Sequence, residues 1–293
     1  MRHEDNQQET KKNTLDWMSG MIDGDGCVYT GLLKRKHSKT YSSSTITLDN
    51  GDPDILNHYV YGLHQVGINP HLRPSRSVIK VDVSKQAHLN KLLGELSLVG
   101  YKRLRINKLR SLLKDTHNVE LANQVRSIKL VRQPKPDRTV THLRPSPYWI
   151  GGVFDAEGCI YLGSNKRYIH HGISFSNQDV DILHNYISFL NNVGCSIFSV
   201  VPVGRPVKGR LTTWSVTVQK RSLELILCKE LLPYLRGFKR VQLRALYEYL
   251  LQRRGRYTDT DHKLVTDFNS LESPTTLREM PRITGVKIKS DPV

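Results

Sequence analysis

The sequence has no apolar run that approaches the ~18 residues a membrane-spanning helix needs, so no transmembrane segment is expected. Its opening residues, MRHEDNQQETKKN, lack the apolar core of a secretory signal, and Glu4, Asp5 and Glu9 argue against a transit peptide. Cysteine is scarce. Cys27, Cys159, Cys195 and Cys228 stand far apart with no CxxC pair, which excludes a zinc ribbon or a disulfide framework and fits a reducing, intracellular compartment. The histidines are scattered, and neither HLNK nor THNVELAN composes a histidine-metal nuclease motif. Acid is also short: 27 Asp and Glu oppose 44 Lys and Arg, a net charge of +17. Such an excess predicts a polyanionic partner, nucleic acid ahead of an anionic membrane surface. The plain alternative is a basic soluble protein with no such partner.

What the sequence does have is a copy of itself. WMSGMIDGDGCVY (17–29) returns as WIGGVFDAEGCIY (149–161), and the match continues downstream. ITLDNGDPDILNHYVYGLHQVG (46–67) lies over ISFSNQDVDILHNYISFLNNVG (173–194) without a gap. IKVDVSKQAHLNKLLGEL (79–96) lies over WSVTVQKRSLELILCKEL (214–231), and GYKRLRINKLRSLL (100–113) over GFKRVQLRALYEYL (237–250). Four matched blocks in one order indicate an internal duplication. The chain of 293 residues then divides into an N-terminal extension (1–13), a first repeat (14–122), a Pro-rich charged linker (123–146), a second repeat (147–254) and a polar tail (255–293).

Within each repeat the pattern reads helix, strand, strand, helix, strand, strand, helix, helix. CVYTGLLKR and TYSSSTITLD alternate as strands. Asp52 before Pro53 predicts a capped helix through Val66, and Asp179 opens its counterpart. In IKVDVSK, Ile79, Val81 and Val83 oppose Lys80, Asp82 and Ser84; in WSVTVQK, Trp214, Val216 and Val218 oppose Ser215, Thr217 and Gln219. The expected fold is α+β: two pseudo-symmetric units, each an antiparallel sheet with helices on its greasy face and a polar face left for a ligand.

The duplicated segment itself predicts a short helix over 15–26. Gly20 and Gly24 fall on one face of it, as do Gly152 and Ala156 in the second copy. Small residues at that spacing let two backbones approach, so the two copies are expected to pack on each other about a pseudo-twofold axis. Asp25 and Glu157 then sit at two adjoining helix C-termini, which are already electronegative. Paired carboxylates there are costly unless cations share the site, and hard divalent ions with oxygen ligands suit them. In so basic a chain that combination points to phosphodiester cleavage. Asp23 and Asp155, two residues earlier, read as structural hydrogen-bonding groups near the helix junction.

MSGMIDGDG (18–26) and IGGVFDAEG (150–158) resemble the two signature motifs of LAGLIDADG homing endonucleases in their single-chain, two-repeat form. The resemblance covers nearly all of residues 14–254, with the family's αββαββα order. It implies a saddle of two antiparallel sheets straddling double-stranded DNA. It implies metal-binding carboxylates at Asp25 and Glu157, with backbone carbonyls of Gly24 and Ala156 offered to the metal. Mg²⁺ is the expected cofactor, and Mn²⁺ or Ca²⁺ can occupy the same site. By the same resemblance Lys102 and Lys239, in the matched GYKR and GFKR, stabilise charge near the scissile phosphate or contact phosphate without a catalytic role. Asn50 and Asn177 either touch water near the site or form the turn before the following helix.

The expected DNA contacts on the polar faces are Tyr29, Arg35, Thr47, Arg73, Arg76, Lys80 and Asp82 in the first repeat. In the second they are Tyr161, Asn165, Arg167, Ser174, Ser176, Arg205, Thr217 and Gln219. Any one of them could instead be a solvated strand residue. The reading that results is a monomeric, Mg²⁺-dependent, sequence-specific DNA endonuclease leaving short 3′ overhangs. It would serve intron homing, or the spread of a free-standing mobile gene, in an organelle (chloroplast or mitochondrion) or a prokaryotic cytoplasm. An RNA maturase bound to its host intron RNA, or both activities together, is the alternative, and a non-cutting DNA-binding regulator is a third.

Overall fold

A computed structural model describes residues 2–34, 40–75, 78–141, 146–165, 168–204, 207, 209–253 and 259–271. The first repeat runs α1 (Arg2–Gly24), β1 (Cys27–Lys34), β2 (Thr40–Asn50), α2 (Pro53–Gln65), β3 (His71–Ser75), β4 (Val78–Val83), α3 (Gln86–Glu95) and α4 (Gly100–Leu112), followed by α5 (Val119–Ser127). The second runs α6 (Pro147–Glu157), β5 (Gly158–Ser164), β6 (Ile169–Asn177), α7 (Val180–Asn192), β7 (Ser199–Pro202), β8 (Trp214–Val218), α8 (Arg221–Leu231) and α9 (Phe238–Gln252), with α10 (Asp259–Asn269) added. Both sheets are antiparallel and four-stranded, ordered β1-β2-β4-β3 and β5-β6-β8-β7, so one topology occurs twice.

The strand alternation expected from the sequence is present. Ile46, Leu48, Ile79, Val81 and Val83 are buried beneath the first sheet, as are Ile173, Phe175, Val216 and Val218 beneath the second. Each repeat has its own core, one built around Trp17, Leu56 and Tyr59, the other around Phe154, Phe175 and Tyr186. Phe175 and Tyr186 pack with ring centroids 4.6 Å apart.

Three features differ from the sequence reading or go beyond it. The first motif helix is much longer than 15–26: it starts at Arg2, within the segment assigned as an extension, and ends at Gly24. Polar residues such as Glu9 and Lys12 carry no apolar period, but they continue the turn that the buried Thr14, Leu15 and Trp17 anchor, and Lys11 reaches Glu95 at 3.3 Å. Helix α5 starts at Val119, inside the segment assigned to the first repeat, and ends in the linker at Ser127; residues 128–141 then run as an irregular strap along α7. Gln133 Oε1 accepts from Val180 N, His184 Nε2 accepts from Asp137 N, and Asn191 Nδ2 donates to the carbonyls of Arg138 and Val140. Part of the polar tail forms α10, which buries Val265 and Phe268 against the second core.

The repeats join through α1 and α6. A Cβ on Gly20 would collide with the Trp149 carbonyl oxygen, and one on Gly152 with that of Trp17. The two backbones touch where only glycine leaves room. A second set of contacts crosses between repeats. Asp52 caps α2 through Oδ1, which accepts from Asp54 N at 2.9 Å, while its Oδ2 accepts from Phe238 N at the start of α9. Asp179 caps α7 in the same way, and its Oδ2 accepts from Tyr101 N at the start of α4. Gly100, at φ +60°, lies directly under Asp179, where a side chain would strike the carboxylate.

Candidate active site

The site is assembled where α1 and α6 end side by side. Asp25 follows the last residue of α1, its amide donating to Met21 O at 2.9 Å, and Glu157 is the last residue of α6. Gly24 and Ala156 face each other so closely that a Cβ on Gly24 would overlap that of Ala156, and Glu157 Cγ lies 3.3 Å from the same point. Burial pushes the Asp25 carboxyl up to about 6, the neighbouring Glu157 charge adds to it, Lys239 and Lys102 oppose it, and Asp49 adds again. Burial also raises Glu157, with Lys102 and Lys239 opposing. Two acids thus crowd one another at two electronegative helix ends, in reach of each other's charge.

Each helix end is closed by a lysine. Lys102 Nζ, on the buried first turn of α4, donates to the carbonyls of Ile22, Asp23 and Gly24 at 2.7, 2.8 and 2.8 Å. Lys239 Nζ, on α9, donates to those of Phe154, Asp155 and Ala156 at 3.2, 2.7 and 2.8 Å. Burial lowers both ammonium groups, and nearby carboxylates counter it. Three donors meet three acceptors, so these lysines hold the helix ends in place. The carbonyls proposed for metal, Gly24 and Ala156, each spend one lone pair on this contact and retain the other.

Asp23 and Asp155 tie the pair together, as their structural reading anticipated. Trp149 Nε1 donates to Asp23 Oδ2 and Trp17 Nε1 to Asp155 Oδ2, both at 3.0 Å. The same oxygens accept from Val99 N and Arg236 N. Asn50 Oδ1 accepts from Asp52 N and Asn177 Oδ1 from Asp179 N, each at 2.8 Å, which is the turn-forming geometry. Asn177 also lines, with Glu157, Gly24, Ser176, Gln178 and Thr213, a cleft of about 290 Å³ that opens beside the acids.

The donor chemistry fits a hard divalent cation: two carboxylates whose shared negative charge is disfavoured in its surroundings, beside backbone carbonyl oxygens. Among the described residues no group of three or more His, Cys, Asp or Glu side chains gathers at one point. A cation there would complete its shell with carbonyl, water or phosphate oxygens, as Mg²⁺ commonly does.

The sheet faces flank this site. On the first, Tyr29, Thr47, Lys80, Asp82 and Arg73 line an open hollow of about 590 Å³ together with Asp49 and His71. Lys80 pairs with Asp49 at 2.5 Å, and Asp82 is held by Thr47 and Arg73. On the second, Ser174 stands opposite Thr217, Ser176 lies opposite Ser215, and Gln219 Nε2 donates to the Tyr161 hydroxyl at 2.6 Å. Asn165 lies off the face, in the β5–β6 turn, its Oδ1 accepting from Tyr168 N. Arg35, Arg76, Arg167 and Arg205 lie outside the described residues. Sequence reasoning missed Asp49, which stands close enough to Asp25 to raise it. It also missed the second oxygens of Asp52 and Asp179. Their only signal was that an Asp and a Gly recur at matched positions of both repeats.

No family model and no curated protein matches the chain. Solved structures do. The LAGLIDADG homing endonuclease I-GzeII, in complex with its DNA target, aligns at TM-score 0.64 and 16% identity over 89% of this chain and 99% of its own. I-LtrWI, bound to target DNA, aligns at 0.65 and 15% over 90% and 100%. I-SmaMI, bound to uncleaved DNA in the presence of calcium ions, aligns at 0.60 and 16% over 87% and 97%. At such identities the likeness is one of architecture, and the two repeats, their sheets and the paired motif helices together have the fold of the LAGLIDADG homing endonucleases.

Proposed function

We propose that the chain is a sequence-specific DNA endonuclease that cuts both strands of a long duplex target with a divalent metal, Mg²⁺ in the cell. The observation that carries this is the pair Asp25 and Glu157, brought face to face at the ends of two crossed helices between two polar sheets. The fold shared with DNA-bound homing endonucleases supports it, and so does the net charge of +17. Because one chain carries both half-sites, it acts as a monomer on a target that need not be palindromic. Short 3′ overhangs follow if each acid serves one strand across the minor groove.

Asp25 and Glu157 would hold the cation, with the Gly24 and Ala156 carbonyls beside them. A bound divalent ion supplies Lewis-acid activation of water and neutralises charge on the scissile phosphate. The chain's own residues set the geometry. Lys102 and Lys239 fix the helix ends that carry the acids. The Trp17–Asp155 and Trp149–Asp23 pairs fix the crossing of the helices. The sheets hold the duplex in register while phosphate contacts position it.

Incubating a randomised duplex library with the protein, in Mg²⁺ and in chelator, tests this. Metal-dependent recovery of one long cut sequence supports the proposal. Tight duplex binding without cutting in any divalent metal would leave a regulator, and preferential binding of structured intron RNA would leave a maturase.

A further inference from the structure

On the face of the first sheet, Arg73, Asp82 and Thr47 form one connected side-chain cluster. Asp82 is 7% exposed, although it points to the polar side of β4. Its Oδ1 accepts from Thr47 Oγ1 at 2.7 Å, straight across the β2–β4 ladder. Its Oδ2 accepts from Arg73 Nε at 2.8 Å, with Nη2 in ion-pair contact with the same oxygen at 2.8 Å, diagonally from the edge strand β3. Asp82 therefore has both oxygens engaged and little surface to offer a base. The Arg73 side chain is 52% exposed.

A guanidinium has two hydrogen-bonding edges. The carboxylate takes the side edge, Nε with Nη2. The end edge, Nη1 with the second Nη2 proton, has no partner among the described residues and is held by the side edge in a defined plane above the sheet. That edge matches the paired acceptors O6 and N7 that guanine presents in the major groove. A loose arginine would contact phosphate as readily, but one tied by its side edge has lost the rotamer freedom to wander. The matched trio in the second repeat is Val201, Thr217 and Ser174, without a cation or a carboxylate.

We infer that Arg73, held in place by Asp82 and Thr47, reads a guanine in the major groove of the half-site under the first repeat, and that the corresponding position of the other half-site carries no such requirement. This rests on the proposed binding of a specific DNA duplex. It does not require cutting. Arg73 is the base-reading residue, and Asp82 and Thr47 are positioning residues.

The test is selection of bound duplexes from a randomised library, in chelator so that cleavage plays no part, for the wild-type protein, Arg73→Ala and Asp82→Asn. The wild type is expected to enrich guanine at one position of one half-site. Arg73→Ala should erase that preference, a loss of roughly 10- to 100-fold in discrimination, and leave the remaining positions unchanged. Asp82→Asn should weaken the preference at the same position; should melting curves show it unfolded, Thr47→Val tests the same support. A uniform loss of affinity on Arg73→Ala, with an unchanged base profile, would make Arg73 a phosphate contact and overturn the inference. So would a preference that survives Arg73→Ala but moves with Asp82→Asn. Selection of no sequence by the wild type would remove specific duplex binding itself, whereas a specific target that is never cut would sink only the nuclease reading.

Discussion

A lysine whose three ammonium protons all meet backbone carbonyls has no donor left for a phosphate. Lys102 and Lys239 are in that position, and the carbonyls they meet close the helices that carry Asp25 and Glu157. From sequence a lysine near a paired-acid site reads as a catalytic cation; only the fold shows where its protons go. Lys102→Met should therefore destabilise the DNA-free protein by about 3 kcal/mol, because buried carbonyls lose a charged partner. Urea unfolding measures this, and an unchanged midpoint would return Lys102 to a contact with DNA alone. His58 gives a pH signature. Burial, with the Arg236 guanidinium adding to it, pulls its imidazole down to about 4. The unfolded chain takes up this proton near pH 6.5, the folded chain only near 4. Between those values the unfolded state binds more protons, so the His58 contribution to stability is complete above the window and lost as pH falls through it. His58→Phe keeps a ring against Trp17, at a 4.8 Å centroid distance, and removes an Nε2 that lacks a partner among the described residues. Its melting temperature should fall less than that of the wild type as the window is crossed, with no added benefit above it.

Helices α1 and α6 make the element on which everything else depends, and their crossing was legible in advance. Gly20 with Gly24, and Gly152 with Ala156, stand four apart in both copies, and a duplicated small-residue face has little use except close helix contact. Gly20→Ala should cost about 3 kcal/mol or more, since the methyl group meets backbone that cannot move aside. Gly94→Ala, whose added methyl would meet no described atom within 4 Å beyond its own helix backbone, should stabilise α3 by about 0.5–1 kcal/mol. Paired thermal melts of these variants distinguish a packing requirement from general intolerance of glycine replacement. The crossed caps were only half legible. Asp52 before Pro53 announced a helix start, but nothing local told that its second oxygen would reach Phe238 in the other repeat, because that contact depends on how the repeats are placed. Asp52→Asn tests it. Whichever way the amide turns, either the α2 cap or the α9 contact is lost, so about 1–2 kcal/mol should go. The length of α1 was not legible for a different reason: its first turns carry no apolar period to read.

The whole molecule is two copies of one unit that have kept their frame and changed their faces. Alternation in β2, β4, β6 and β8 fixed which side of each sheet is buried, so the architecture followed from the pattern. What each face does was less open to reading, because ion pairs such as Lys80 with Asp49 neutralise residues that look like free cations in the sequence. A chain of net charge +17 should still bind duplex DNA with strong salt dependence, losing about a thousandfold in affinity between roughly 50 and 200 mM salt; anisotropy titrations measure that slope, and a flat response would contradict a phosphate-tracking surface. The central claim is that Asp25 and Glu157 form one metal-dependent cutting site. It is tested most directly on a supercoiled plasmid carrying the selected target, with Asp25→Asn and Glu157→Gln compared against the wild type in Mg²⁺. The wild type should linearise the plasmid, and each substitution should lower linearisation at least about a hundredfold, with DNA binding retained. Linearisation at the wild-type rate by both variants would contradict that claim.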